Sequence, residues 1–419
     1  MGDNQHRYHN LEGLRGLAAF VVVIWHFTVA FLPFVIGFSA VSRHFRYEHL
    51  VANTPLFLPF AGTFSVLVFF VLSGFVLSLS FFRRKDVGVL VSSASRRYFR
   101  LMLPAFGSVL FAYIIMRIGD RAHLETAQIT GSPWLTWYWN FQPHFWGAIH
   151  QGAFGVFFND SSVTATNLAM YNSNLWTMYV ELLGSFIVFA ILAFFGRLQK
   201  RWLIYGALAI IFSHSYFLAF LLGVAICDVW VNFPSLKDRL HPLVAWGLLA
   251  FGIVAGSWHN TFNIHPSYYS AYQLPFFTIQ GTEQFMRTLG AACLIIAVLR
   301  MSWLTRFFES RPLQYLGRIS FALYLLHFAV IYSFSCLLFN RLLPHLGYAK
   351  SFGVMFSISL PLILVLSHFY TKWVDVPAIQ ISKRVGNWLT APLSKRAASN
   401  AQQEQLSDAT TSKAIPTNS

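Results

Sequence analysis

Ten apolar runs, separated by short polar or basic gaps, leave this chain few places to fold other than a lipid bilayer. A hydrocarbon layer about 30 Å thick takes about 20 helical residues to cross. The runs fall near residues 14–36, 59–82, 99–117, 176–195, 202–213, 215–231, 243–258, 286–300, 316–338 and 351–371. Two of them are short. The stretch from Trp202 to Trp230 reads as one bent helix or a tight pair turning near Ser213 and His214, and its 29 residues favour the pair. Composition agrees with the pattern: 11% of the 419 residues are charged, against about a quarter in soluble domains. The expected fold is an all-α integral membrane bundle of about ten helices (nine to eleven) over residues 1–388, with 389–419 a disordered cytosolic tail.

The formal net charge is +15, but the basic residues punctuate the gaps between apolar runs and form no long stripe, which argues against a nucleic-acid partner. Arg83, Arg84, Lys85, Arg96, Arg97 and Arg100 share one gap; Arg197, Lys200 and Arg201 another; Lys237 and Arg239 a third; Arg300, Arg306, Arg311 and Arg318 a fourth. With ten spans all four fall on one side, which the positive-inside rule makes the cytosol. Both termini then face the cytosol. Cys227, Cys293 and Cys336 lie in apolar segments and imply neither a disulfide framework nor a thiolate metal site. The first apolar run is too long for a signal peptide.

Segment 118–175 falls on the far side and is long for a bare connection, so a cap or re-entrant element is expected there. It holds Trp134, Trp137, Trp139 and Trp146, suited to an interfacial or substrate-facing surface, and the glycosylation acceptor pattern Asn159-Asp160-Ser161.

Ionisable side chains within spans carry the chemical signal, because each is costly in hydrocarbon. Arg15 and His26 are 11 residues apart, which places them on one helix face about 16 Å apart along the axis. An anion anchor at the water edge aligned with a buried proton acceptor suits an enzyme; a snorkelling arginine and a hydrogen-bonded structural histidine is the plainer account. Glu181 lies inside the fourth run, with Thr177 one turn before it. It can orient His26, act as a base, bind an acceptor, or pair with an arginine of another helix. Ser320, Tyr324 and His327 form a polar stripe in the ninth run, with His327 a second acid or base. Arg97 and Arg100 share one face of a starting helix, where they would clamp phosphate oxygens or simply set topology. No H-E-x-x-H or H-x-x-E-H spacing is present, so no metal site is expected. Gly13, Gly16 and the Ser73-Gly74 notch suit close helix packing.

Taken in order, these residues resemble a known family. Asn10-Leu11-Glu12-Gly13-Leu14-Arg15-Gly16-Leu17-Ala18-Ala19 with Trp25-His26 is similar to the first motif of the membrane acyltransferase-3 family, which includes O-antigen and peptidoglycan O-acetyltransferases. Phe69 to Phe75 resembles its F-x-L-S-G-F motif, and Arg97, Arg100 and Pro104 its R-x-x-R-x-x-x-P pattern. Leu175 to Glu181 resembles its L-W-S-L-x-V-E motif, with Thr177 where a serine is common, and Ile319 to His327 its late helix motif. The resemblance covers about residues 7–385. It implies transfer of an acyl group, usually acetyl, from acyl-CoA to a hydroxyl of a glycan, lipid or small secondary metabolite. It also implies catalytic roles at His26, Glu181 and His327, and CoA phosphates near Arg15, Arg97 and Arg100. An acyl-histidine relay across the membrane is a second route. No soluble hydrolase-like domain follows the last helix, which, with the long 118–175 segment, suggests a eukaryotic, fungal-type member of the plasma membrane or an endomembrane. A transporter would instead need discontinuous helices around a midplane site, and a non-catalytic scaffold would have no use for the intact ionisable set.

Overall fold

The computed structural model describes residues 8–37, 42–52, 54–119, 121–158, 170–259 and 273–391, and the described residues form helices, turns and connections. The acceptor pattern at 159–161 and the chain beyond 391 lie outside them.

The apolar runs fold as helices because each backbone polar group is then satisfied within its own segment. The principal ones are α1 (His9–Phe31), α2 (Gly62–Arg84), α3 (Gly88–Ile118), α4 (Trp176–Phe195), α5 (Arg201–Ile211), α6 (Phe217–Asn232), α7 (Pro242–Gly256), α8 (Ile279–Arg300), α9 (Arg311–Val330) and α10 (Cys336–Tyr370). Among the described residues, six helical stretches are long and apolar enough to cross a membrane: α1, α2, α3, Ser173–Phe195, α8 and the 81-residue stretch Arg311–Ala391. Helices α5, α6 and α7 are apolar but shorter.

Several boundaries move from the expected positions, each for a local reason. The first run breaks at Leu32 and resumes as a short helix, Pro33–Ile36, because Pro33 has no N–H to continue the ladder. Helix α8 starts well before residue 286 and carries Glu283 and Arg287 into the bundle; their 2.5 Å ion pair, one turn apart, makes that entry tolerable. The last two runs join into one stretch, interrupted at Gly347, whose φ of 68° departs from the helical region. Residues 389–391, assigned to the tail from sequence, continue the last helix. The Trp202–Trp230 stretch is a tight pair: Arg201 at the start of α5 meets Asp228 near the end of α6, so the two run antiparallel.

Close packing of helix backbones fixes the centre. A Cβ on Gly16 would lie 2.3 Å from the Gly317 nitrogen, and one on Gly74 2.1 Å from the Phe220 carbonyl oxygen. Glycine is required at both places for α1 to approach α9 and α2 to approach α6. The basic gaps gather at one end of the bundle: Arg197 donates to the Lys85 carbonyl, Lys85 to Asn232, and Arg300 to the Leu240 carbonyl. Segment 118–175 contributes the short helices Ala122–Thr130, Trp134–Trp137 and Phe145–His150 at the opposite end. Trp134 and Trp139 are buried there, while Trp146 is exposed. All three cysteines are unpaired.

Candidate active site

A cavity of ≈ 200 Å³ opens among α1, α2, α3, α4, α9 and the turn Thr371–Asp375. Its charged lining is four arginines, Arg15, Arg97, Arg100 and Arg318, against two carboxylates, Glu181 and Asp375. Phe69, Phe70, Val66, Met178 and Phe321 supply an apolar wall, and Thr177, Ser320 and Tyr324 hydroxyls. A ligand that is anionic in one part and apolar in another matches that lining.

The arginines are held by specific partners. Arg97 pairs with Glu181 Oε1 and donates from Nε to Ser185 Oγ at 2.7 Å. Ser73 donates to the same Glu181 oxygen at 2.6 Å. Arg100 meets Asp375 Oδ1 at 2.6 Å. Asp375 closes a π-helical turn, a departure from α geometry that re-aims side chains and recurs at functional sites. Arg15 donates to the Gly317 carbonyl at 3.3 Å, across the α1–α9 contact that Gly16 permits.

His26 and His327 do not line this cavity; they form a buried pair beyond its inner wall. His327 Nε2 and His26 Nδ1 are 3.0 Å apart, joining α1 to α9. Asn174 Nδ2 lies 3.1 Å from the same His327 nitrogen. The Asn174 carbonyl accepts from Tyr324 Oη at 2.8 Å and from Thr177 Oγ1 at 3.0 Å. Tyr324 and Thr177 also line the cavity, so hydrogen bonds run from its wall to the imidazoles. Trp134, from the far-side segment, lies against His26 with ring centroids 5.3 Å apart.

The residues singled out from sequence therefore fall into two groups. Arg15, Arg97, Arg100 and Glu181 share the cavity, and His26 shares a hydrogen bond with His327. Glu181 does not contact His26 to orient it, as one of its expected roles required: its bonds go to Arg97 and Ser73. Asn174, Asp375 and Arg318 carry no chemical expectation from the sequence, and Trp134 only that of an interfacial or substrate-facing group. Two of these left a trace. Asp375 is the sole carboxylate between Glu309 and Glu404, and Asn172-Ser173-Asn174 is a polar triplet set directly before an apolar run.

Helices that enclose an arginine-lined cavity beside a buried histidine pair define a membrane-embedded protein equipped to hold an anionic ligand near a proton acceptor. The acyltransferase-3 family pattern, described as an acyltransferase domain, matches residues 8–367, and the chain belongs to that family. It is similar to the O-acetyltransferase PaAT-1 of Phomopsis amygdali, 24% identical over 425 residues that cover 89% of this chain and 83% of that protein. It is similar also to the acyltransferase clz18 of Cochliobolus lunatus, 23% identical over 455 residues, covering 88% and 93% respectively. No solved structure matches the chain.

Proposed function

We propose that the protein is a membrane O-acyltransferase that moves an acyl group, acetyl in the first instance, from acyl-CoA to a hydroxyl of a glycan, lipid or small secondary metabolite. The observation that carries this reading is the cavity in which four arginines outnumber two carboxylates beside an apolar wall. Acyl-CoA combines phosphates with an uncharged pantetheine arm, which a lining part basic and part apolar accommodates, with the nucleotide left outside. Arg15, Arg97 and Arg100 serve as phosphate partners, and Glu181 and Asp375 hold Arg97 and Arg100 in position. The fungal relative named as an O-acetyltransferase makes acetyl the acyl group to test first.

His26 is the general base. It takes the proton of the acceptor hydroxyl as that oxygen attacks the thioester carbonyl, which has to pass the Thr177 and Tyr324 wall of the cavity to reach it. The C–S bond then breaks, and CoA leaves as the thiol, recovering the proton from His26. His327, hydrogen-bonded to His26, steadies the imidazolium formed in between.

Counting α5, α6 and α7 as spans, and the 81-residue stretch as two spans parted at Gly347, gives ten. The gathered basic gaps then face the cytosol, where acyl-CoA is found, together with both termini. The experiment is a mass-spectrometric comparison of glycans, lipids and small metabolites from cells with and without the protein. The expected result is loss of an acetyl mass increment from one class of molecule. Identical profiles, with substrate flux through the purified protein and no consumption of acyl-CoA, would establish a transporter instead.

A further inference from the structure

The hydrogen bonds around the histidine pair admit one arrangement of protons in the neutral rings. His327 Nδ1 is 2.8 Å from the Leu323 carbonyl oxygen. A carbonyl only accepts, so His327 carries its proton on Nδ1 and a lone pair on Nε2. Asn174 Nδ2 is 3.2 Å from the Tyr324 carbonyl oxygen, which turns the amide's N–H side toward this spot. The same nitrogen, 3.1 Å from His327 Nε2, therefore donates to it. His26 Nδ1 approaches His327 Nε2 at 3.0 Å and the Val22 carbonyl oxygen at 2.9 Å. Both are acceptors, so the His26 proton is on Nδ1, shared between them. The other nitrogen of His26, Nε2, then bears the lone pair.

We propose that Asn174 is the positioning residue of this pair. By donating to His327 Nε2 it holds His327 as an acceptor facing His26. That keeps the His26 proton on Nδ1 and presents the lone pair of Nε2 to the hydroxyl to be deprotonated. Asn174 is well placed for the task. It is 2% exposed, its carbonyl is tied to Tyr324 and Thr177, and its N–H donates to Asn172 Oδ1 at 3.2 Å. An acceptor at this position would demand a proton on His327 Nε2, and that nitrogen would cease to accept from His26. The inference rests on the reading of His26 as the general base, but the tautomers themselves are observable without any turnover.

The test uses the full chain, labelled with ¹⁵N-histidine, in lipid nanodiscs. Nitrogen shifts separate protonated ring nitrogens from lone-pair ones, and the two rings are identified by signals lost in the His26→Gln and His327→Gln proteins. The wild type should show both rings protonated at Nδ1 and bare at Nε2. Asn174→Asp, which keeps the shape and removes the donor, should place a proton on His327 Nε2. It should also lower kcat about 10- to 100-fold with KM for acetyl-CoA unchanged. If Asn174→Asp does not fold, Asn174→Ala carries the kinetic test, with the same fall in kcat expected. A wild-type His327 protonated at Nε2, or a folded Asn174 variant with wild-type tautomers and kcat, overturns the proposal. Transfer that survives in His26→Gln, with the tautomers as described, would instead overturn the general-base reading alone.

Discussion

Two of the arginine–carboxylate pairs in this bundle, Arg201–Asp228 and Arg97–Glu181, expose little side-chain surface and are built differently. Arg201 and Asp228 are 12% and 5% exposed, and Arg97 and Glu181 15% and 12%, so surface exposure does not separate them. The number of partners does. Asp228 accepts from Arg201 Nε and Nη2, from Tyr205 Oη and from Asn232 Nδ2, using both of its oxygens. Rings of Phe82 and Phe233 cover the Arg201 guanidinium, and none of the group lines the cavity. Glu181 receives Arg97 and Ser73 on one oxygen, and all three residues line the cavity. A saturated pair clasps α5 to α6. A pair satisfied on one side holds its guanidinium at the cavity wall, where the proposed phosphate contact would be made.

That contrast can be broken by substitution. The largest effect belongs to neither pair: His26→Gln should lower acyl transfer about 10²- to 10⁴-fold, measured as CoA release, while the protein keeps its elution profile and helicity. Asp228→Ala should come next, removing about 3–5 kcal/mol of stability by stranding Arg201, seen as a lower midpoint in thermal unfolding with kcat of the folded fraction unchanged. Arg97→Lys keeps the charge but loses the planar fork, and should raise KM for acetyl-CoA about 10-fold with little change in kcat. Tyr205→Phe should cost about 1 kcal/mol and leave the kinetics alone. Were Asp228→Ala to affect KM as much as Arg97→Lys does, the division into clasp and ligand site would fail.

The parts of the molecule legible in the sequence are those written locally. Run length announced the helices, and the 11-residue spacing set Arg15 and His26 on one face of α1. Glycines 13, 16 and 74 marked where backbones touch. What stayed illegible is pairing across the bundle. His26 and His327 are 301 positions apart and Arg100 and Asp375 275, and helical periodicity says which face a side chain occupies but not which helix meets it. Trp134 stands in a Trp-rich group, yet nothing local brings it to His26. Glu181 had four open roles because a buried carboxylate is explained only by its partner, and the partner lies on α3.

The central claim is that His26 performs base chemistry on behalf of acyl transfer. Purified wild type and His26→Gln, reconstituted in nanodiscs with acetyl-CoA and a hydroxyl-bearing extract of the host cells, can be compared by the rate of free CoA thiol release together with acetyl incorporation. The account predicts release and incorporation in step for the wild type, and neither above background for a folded His26→Gln. Equal rates in the two proteins would contradict it.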